Sequence, residues 1–434
     1  MSASVTDALT RELRPPLTAE QALLEADRCL ECGGTKAPAP CAAACPADVD
    51  VPGFVAAVAS GDSIAAAATI YAQNLLGGTC ARVCPVEMLC EGACVLEHEG
   101  RPPIAIGLLQ RYATDAALAA GAPLRKRTGS NGRWVAVVGA GPAGLSCAGE
   151  LAARGYRVTV FDEREEVGGL VRYAIAPYRQ VRDPLPAEAE LLARLGVEFH
   201  LGTPIEGEGA IQSLVDAADA VFLGVGMGAD AEVELPGDDL PGVWDSLPFI
   251  EALKTGRPPA VGRRVVVVGG GNTAIDVARE AVRLGAEEAT LVYRRTRAEL
   301  PAYPHEVVEA EDEGVRFQWL AAPVRFFGER RLAAVELRLM RLREPDSSGR
   351  RRPEPLEGSE FTIAADTAVM AIGQQRRPEM AEWLREIDLN TGGTTNPKVF
   401  TGGDAVNGGA SVVEAVRDGK RAANAIDGWL RCAS

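Results

Sequence analysis

The residues that most restrict what this chain can fold into are Val135 to Gly144, VAVVGAGPAG. An apolar run, Val135 to Val138, stops at Gly139-Ala140-Gly141-Pro142-Ala143-Gly144, and a helical pattern from Leu145 to Ala153 follows at once. That order reads as a buried strand, a tight turn and a helix start. Gly139 permits the turn, Gly141 lets a pyrophosphate come up to the backbone, and Gly144 lets the helix pack on the strand. Phosphates then sit on the positive end of the helix, where free N–H groups point at them. The next apolar strand, Tyr156 to Phe161, ends at Asp162, where such folds place an acid on the ribose hydroxyls.

A second copy of the pattern opens at Arg264 with VVVVGGGNTAIDVARE. Gly269, Gly271 and Ala274 take the three small-residue positions, with Asn272 and Thr273 between them. Its following strand, ATLVYRR, ends on Arg294 and Arg295, where an NAD fold usually carries an acid. Guanidinium groups there fit an adenosine 2′-phosphate better than a bare ribose. The expected coenzyme is NADPH, with NADH as the alternative.

At 434 residues the chain is too long for one core, so two or three domains are expected. A net charge of −15 argues against nucleic acid, whose backbone demands a basic surface. The first residues, MSASVTDALTRELRPP, have no apolar core like that of a signal peptide, and no apolar run is long enough for a membrane span. The expected location is the cytoplasm.

Ten cysteines in such a protein point to metals or redox chemistry rather than disulfide staples. All but Cys147 and Cys432 lie between Cys29 and Cys94. They form Cys29-x2-Cys32-x8-Cys41-x3-Cys45-Pro46 and Cys80-x3-Cys84-Pro85-x4-Cys90-x3-Cys94. Zinc prefers two close pairs, and only one pair here has that spacing. Iron–sulfur chemistry fits better, because bacterial ferredoxins send the cysteine that precedes proline to the other cluster. By that logic Cys45 joins Cys84, Cys90 and Cys94. Cys29, Cys32 and Cys41 then lack a fourth ligand, and counting cysteines supplies Cys80.

The chain thus reads as an α/β protein: a helical iron–sulfur domain followed by two nested Rossmann-like dinucleotide-binding domains. Residues 1–125 form the helical domain, with Thr18 and Gln21 at capping-box spacing and Ser63 as a further cap. A polar linker covers 124–133. The first nucleotide fold takes 133–228 and is completed by 369–434, and 229–368 are inserted as the second. Residues 341–360 read as an exposed hairpin tip. Nested folds of this kind are the architecture of flavin pyridine-nucleotide reductases, with FAD in one site and NAD(P)H in the other.

The chain resembles the small (β) subunit of glutamate synthase and the amino-terminal half of dihydropyrimidine dehydrogenase. The resemblance rests on RCLEC (28–32), PCAAACP (40–46), CARVCPVEMLCEGAC (80–94), IGLLQRYATD (106–115), GAGPAGL, GGL (168–170), GGGNTAID (269–276), VYRR (292–295) and TGGDA (401–405). CARVCP and LQRYATD look closest to the separate small subunit of bacterial dihydropyrimidine dehydrogenase. The resemblance implies two 4Fe–4S clusters, with Gln110 rather than Cys80 completing the first. It also implies FAD contacts from Gly169, Leu170 and Arg179, from Gly403 and Asp404 beside the ribityl chain, and from a helix N-terminus at Ser411 and Val412. One departure is the Cys32–Cys41 gap, which is longer than the family's usual four residues.

The implied activity is electron transfer from NAD(P)H through FAD and the clusters to a partner. That partner is a large catalytic subunit, of glutamate-synthase or pyrimidine-reducing type, or ferredoxin. No catalytic side chain is expected, because the cofactors carry the chemistry. A thioredoxin-reductase-type enzyme would need a redox C-x-x-C beside the flavin, and the reductase domains hold only Cys147 and Cys432. The other rival is a scaffold that binds nucleotide and clusters without turnover.

Overall fold

The computed structural model describes residues 12–34, 37–346 and 349–432. The leader-free reading of the first residues falls on 1–11 and lies outside the described residues.

The amino-terminal part is helical, as its Ala-rich, cap-punctuated sequence requires. Thr18 and Gln21 close a capping box on Ala19–Ala26. Asp50 caps Val51–Ala59 by accepting from the Gly53 N–H at 3.1 Å. Asp62, not Ser63, caps Ser63–Gln73, accepting from the Ala65 N–H at 2.8 Å. A carboxylate one residue earlier reaches the free N–H groups that the hydroxyl was expected to take. Short helices Gly77–Val83 and Val95–His98 then lead to Ile106–Ala119.

Two parallel five-stranded sheets follow. The first runs Val399–Thr401, Ala220–Leu223, Trp134–Val138, Arg157–Phe161, Val197–His200. The second runs Val243–Asp245, Thr367–Ala371, Arg264–Gly269, Glu288–Tyr293, Arg316–Trp319. Their central strands are continuous apolar runs because both faces are covered, in the second sheet by helices on one face and by an antiparallel sheet on the other, so alternation would leave polar groups buried. A separate antiparallel sheet pairs Ala334–Pro345 with Ala321–Phe327 on one side and Arg351–Ala364 on the other. It contains the expected hairpin.

The strand Thr367–Ala371 corrects the expected domain boundary. The expected completion of the first nucleotide fold from residue 369 onward takes in most of this strand, yet it lies inside the second sheet, with Thr367 opposite Val265. A buried apolar strand carries no mark of which sheet it joins, so periodicity could not decide. The chain forms two compact units. One comprises Arg14–Arg172, Arg182–Met227 and 376–432, so the helical region and the first sheet belong together. The other comprises residues 12–13, Tyr173–Val181 and Gly228–Gln375.

Candidate functional site

In the first unit the glycine turn has the backbone that its sequence demands. Gly139 has φ +101°, and a Cβ there would stand 2.3 Å from the Gly224 carbonyl oxygen. Gly141, by contrast, faces open space: a Cβ there would meet only the Gly169 Cα, at 4.0 Å. It caps the helix Pro142–Ala153, so the opening lies over that helix's N-terminus. This is the room that a pyrophosphate needs.

Asp162 stands at the tip of the neighbouring strand and also ties the turn. Its carboxylate accepts from the Ala140 N–H at 2.6 Å and the Arg164 N–H at 2.8 Å, while burial raises its pKa. The Gly168 N–H donates to the Ala140 carbonyl at 2.7 Å, which brings Gly169 and then Leu170 up against Gly141. From the far end of the chain Gly403, at φ +75°, approaches Ala143, where a Cβ on Gly403 would come within 2.9 Å of the Ala143 Cβ. Asp404 is buried enough for its pKa to rise. Ser411 and Glu414 cap one another at the start of Val412–Cys432, whose first turn therefore lies beside this loop. The structure thus gathers Gly139 to Gly144, Asp162, Gly169, Leu170, Gly403, Asp404, Ser411 and Val412 within one unit.

Arg179 is not among them. It belongs to the second unit, where its guanidinium pairs with Asp276 at 2.7 Å and Glu306 at 2.5 Å and lies over the Tyr178 ring. The resemblance implies a place near a flavin ring; within its own unit its charge is taken up by two carboxylates. Tyr178 donates to Asp276 at 2.5 Å, and the fully buried Arg279 pairs with Glu306 and Glu313 at 2.7 and 2.6 Å. This network sits under the second glycine turn, and nothing in the linear spacing of its members announced it.

The second turn repeats the first. Gly269 has φ +151°, with a Cβ position 2.1 Å from the Ala371 carbonyl oxygen, while Gly271 has nothing within 4 Å. Gly271 caps the helix Asn272–Arg283, where Thr273 is half-buried and Ala274 fully buried. Asn272 accepts from the Tyr303 N–H at 2.9 Å, holding the loop above the turn. The arginine pair divides. Arg294 is exposed and makes no ion pair or hydrogen bond among the described residues. Arg295 is only 3% exposed and donates from Nε to the Arg351 carbonyl and from Nη2 to Asp346, both at 2.7 Å. Of the pair, Arg294 alone presents its guanidinium to solvent, with Arg295 buried beneath it.

The eight clustered thiols fall into two groups, and the division differs from the expected one. Cys29, Cys32, Cys41 and Cys94 line one cavity, together with Pro40, Val55 and Ile106. Burial and the charges of Cys29 and Cys94 push the Cys41 thiol up to about 11. Cys45, Cys80, Cys84 and Cys90 form the other group. Cys84 is raised by its hydrogen bond to Cys80 and by burial, with Cys90 and Cys45 adding to it. Cys94 thus stands with the first three cysteines, whereas sequence reasoning sent it to the second set. The reason is the ferredoxin rule itself, which applies to both motifs: the last cysteine of each crosses to the other group.

Cys80 belongs to the second group, and Gln110 is tied to the helix that carries it. Gln110 Nε2 donates to the Gly77 carbonyl at 2.6 Å, at the start of the helix that carries Cys80. The same helix is held by Glu188, a fully buried carboxylate of the first nucleotide fold. It accepts from the Gly78 N–H at 2.7 Å and the Thr79 hydroxyl at 2.6 Å. Lys420, on the carboxy-terminal helix, donates to the Ala47 carbonyl at 3.0 Å, two residues past Cys45. Among the described residues no three His, Cys, Asp or Glu side chains converge as a single ion requires. Thiols arranged around a cavity suit a multi-iron cluster better than one zinc with four short bonds. Burial raises the Cys29, Cys41, Cys45 and Cys90 thiols, and Cys84 is raised as well, so binding iron there would release protons.

Residues 6–122 match the family described as dihydropyrimidine dehydrogenase domain II, 4Fe-4S cluster, and residues 133–419 match the pyridine nucleotide-disulphide oxidoreductases. The glutamate synthase [NADPH] small chain of Escherichia coli is 36% identical over 96% of this chain and 93% of its own length. The NADP(+)-dependent formate dehydrogenase subunit beta of Moorella thermoacetica is 38% identical over 91% of this chain and 60% of its own length. Among solved structures, Mycobacterium tuberculosis FprA in complex with NADPH shares the fold with a TM-score of 0.60. That match has 20% identity and covers 69% of this chain and 85% of FprA.

Proposed function

This chain belongs to the glutamate synthase small-chain family and is an NAD(P)H-dependent flavin oxidoreductase with a 4Fe–4S domain, and from that premise we propose that it relays electrons from NADPH to a partner subunit. Bound FAD would supply hydride acceptance and two bound 4Fe–4S clusters would supply single-electron transfer, so the protein's own task is binding, alignment and insulation. Gly139 to Gly144 with Asp162, Gly169 and Leu170 hold the FAD pyrophosphate and ribose. Gly403, Asp404 and the helix start at Ser411 and Val412 hold its ribityl and ring end, where helix N–H groups favour negative charge. Gly269, Gly271, Asn272, Thr273 and Ala274 hold NADPH, and Arg294 takes the 2′-phosphate.

One cluster is assigned to Cys29, Cys32, Cys41 and Cys94, and the other to Cys45, Cys84, Cys90 and Gln110. Donation of Gln110 Nε2 to Gly77 leaves its amide oxygen for iron, which favours it over Cys80. The partner is a large catalytic subunit, since the relatives of matching length are named as small chains. No helix among the described residues is long and apolar enough to cross a membrane, and the cytoplasm is the proposed location.

The observation that carries the relay is the attachment of the second thiol group to the first nucleotide fold within one compact unit, through Glu188 and Lys420. Replacement of cluster ligands tests it. Cys94→Ser and Gln110→Ala should each remove or alter a different cluster, at a loss of up to about half the iron. Both should keep FAD and dye reduction while failing to reduce the partner. Cys80→Ser should keep all the iron. Halved iron in the Cys80 variant with a normal count in the Gln110 variant would reverse that ligand assignment.

A further inference from the structure

The strand tip that carries Arg294 is bolted to the antiparallel hairpin at several points. Leu320, just before the antiparallel sheet, donates its N–H to the Arg295 carbonyl at 3.1 Å, and its own carbonyl accepts from the Met340 N–H at 2.7 Å. The Arg295 side chain donates to the Arg351 carbonyl and to Asp346, one on each side of the hairpin turn. Arg351 returns a hydrogen bond from Nε to Glu299 at 2.5 Å. Glu299 in turn accepts from the Thr296 N–H and hydroxyl, at 3.1 and 2.5 Å, closing a capping box just after the arginine pair. Tyr293, immediately before the pair, donates to the Glu299 carbonyl at 2.8 Å. Residues on both sides of Arg294 are therefore fixed, and its own guanidinium alone is left free.

We propose that the hairpin is the coenzyme-discriminating arm of this protein, with Asp346 and Arg351 as positioning residues that present Arg294 to the adenosine 2′-phosphate. The proposal rests on the NADPH reading of Arg294. A long arginine on an unsupported loop would lose rotamer and backbone freedom when it met a phosphate, and that cost falls when its neighbours are already held. The arm as proposed acts only through Arg294 on the 2′-phosphate, so it should alter affinity for the phosphorylated coenzyme without altering hydride transfer.

The test uses the intact holoprotein and three variants: Arg351→Met, Asp346→Ala and Arg294→Ala, with Arg351→Lys as the conservative control. Arg351→Met and Asp346→Ala should each raise KM for NADPH about tenfold, since each loosens one charge-assisted bond beneath the arginine. kcat and the KM for NADH should stay within about twofold, and binding of 2′,5′-ADP should weaken in step with NADPH. In the Arg294→Ala background the same substitutions should have no further effect, because what they position is gone. Arg351→Lys should recover part of the loss. Equal weakening of both coenzymes, or full additivity with Arg294→Ala, would overturn the arm. An unchanged NADPH-to-NADH ratio in Arg294→Ala alone would overturn the 2′-phosphate reading beneath it, and the arm with it.

Discussion

The two nucleotide folds share a turn and differ in what surrounds it. In both, a glycine at positive φ ends the strand, and a second glycine opens space above a helix N-terminus. The helix Pro142–Ala153 is then buried mostly through apolar residues, with Glu150 its one buried charge, paired with Arg125 and Arg154, and Ser146 donating to the Val416 carbonyl of the carboxy-terminal helix. The helix Asn272–Arg283 instead buries Asp276, Arg279 and Glu280 among Tyr178, Arg179 and Glu306. The strand tips differ as well: Asp162 is drawn into its own turn, whereas Arg294 projects free. The first turn is closed by packing from its own unit. The second keeps an exposed charge on a braced support.

The largest expected effect comes from breaking each turn. An alanine at either glycine adopts a disfavoured φ and drives its Cβ into a carbonyl, at a cost of roughly 2–6 kcal/mol. Gly139→Ala should abolish FAD retention, read from flavin absorbance after gel filtration. Gly269→Ala should retain FAD while losing its reduction by NADPH. Flavin lost from the Gly269 variant would show that the two folds are not separable.

The tips give a smaller effect. Arg294→Ala should lower kcat/KM for NADPH by about 10–100-fold, the worth of one or two charge-assisted hydrogen bonds, and leave NADH nearly unchanged. Asp162→Asn should leave both coenzymes unchanged and weaken FAD, because its carboxylate serves only the first fold.

The smallest effect is on stability with pH. Burial outweighs the Tyr178 N–H and Arg283 and raises the Glu280 carboxyl from its ordinary 4.5 to about 7. A carboxyl raised on folding contributes most below its unfolded pKa, and that contribution is lost as pH rises through the folded value. Glu280→Gln should therefore gain stability over the parent as pH climbs from 5 to 8, by roughly 2–3 kcal/mol at most. A difference in melting temperature that is flat across this range would contradict the burial argument.

Much of this was legible in residues. The two glycine turns, the strand after each and the hairpin follow from apolar runs and turn chemistry, which act locally. The membership of Thr367–Ala371 was not legible, because two buried parallel strands of valine and alanine look alike whichever sheet holds them. The Tyr178 network was hidden for a related reason. Its members come from the Tyr173–Val181 excursion, from the helix Asn272–Arg283 and from Pro304–Asp312, and only the fold brings them together. Cysteine spacing gave two thiol groups, yet a crossing rule applied to one motif and not the other misplaced Cys94. The division of labour between Arg294 and Arg295 depends on a hairpin some fifty residues away in sequence, which adjacency could not reveal.

In the proposed relay, NADPH bound at the second fold reduces FAD bound at the first, and single electrons leave through the thiol groups. The most direct measurement mixes the iron-loaded holoprotein with NADPH anaerobically, following flavin absorbance by stopped flow and cluster spins by freeze-quench electron paramagnetic resonance. Flavin should bleach first, followed by two distinct reduced 4Fe–4S signals, of which the Cys94→Ser protein lacks one. A flavin that NADPH does not bleach, or a bleached flavin whose clusters stay oxidised in the presence of excess NADPH, would contradict the relay.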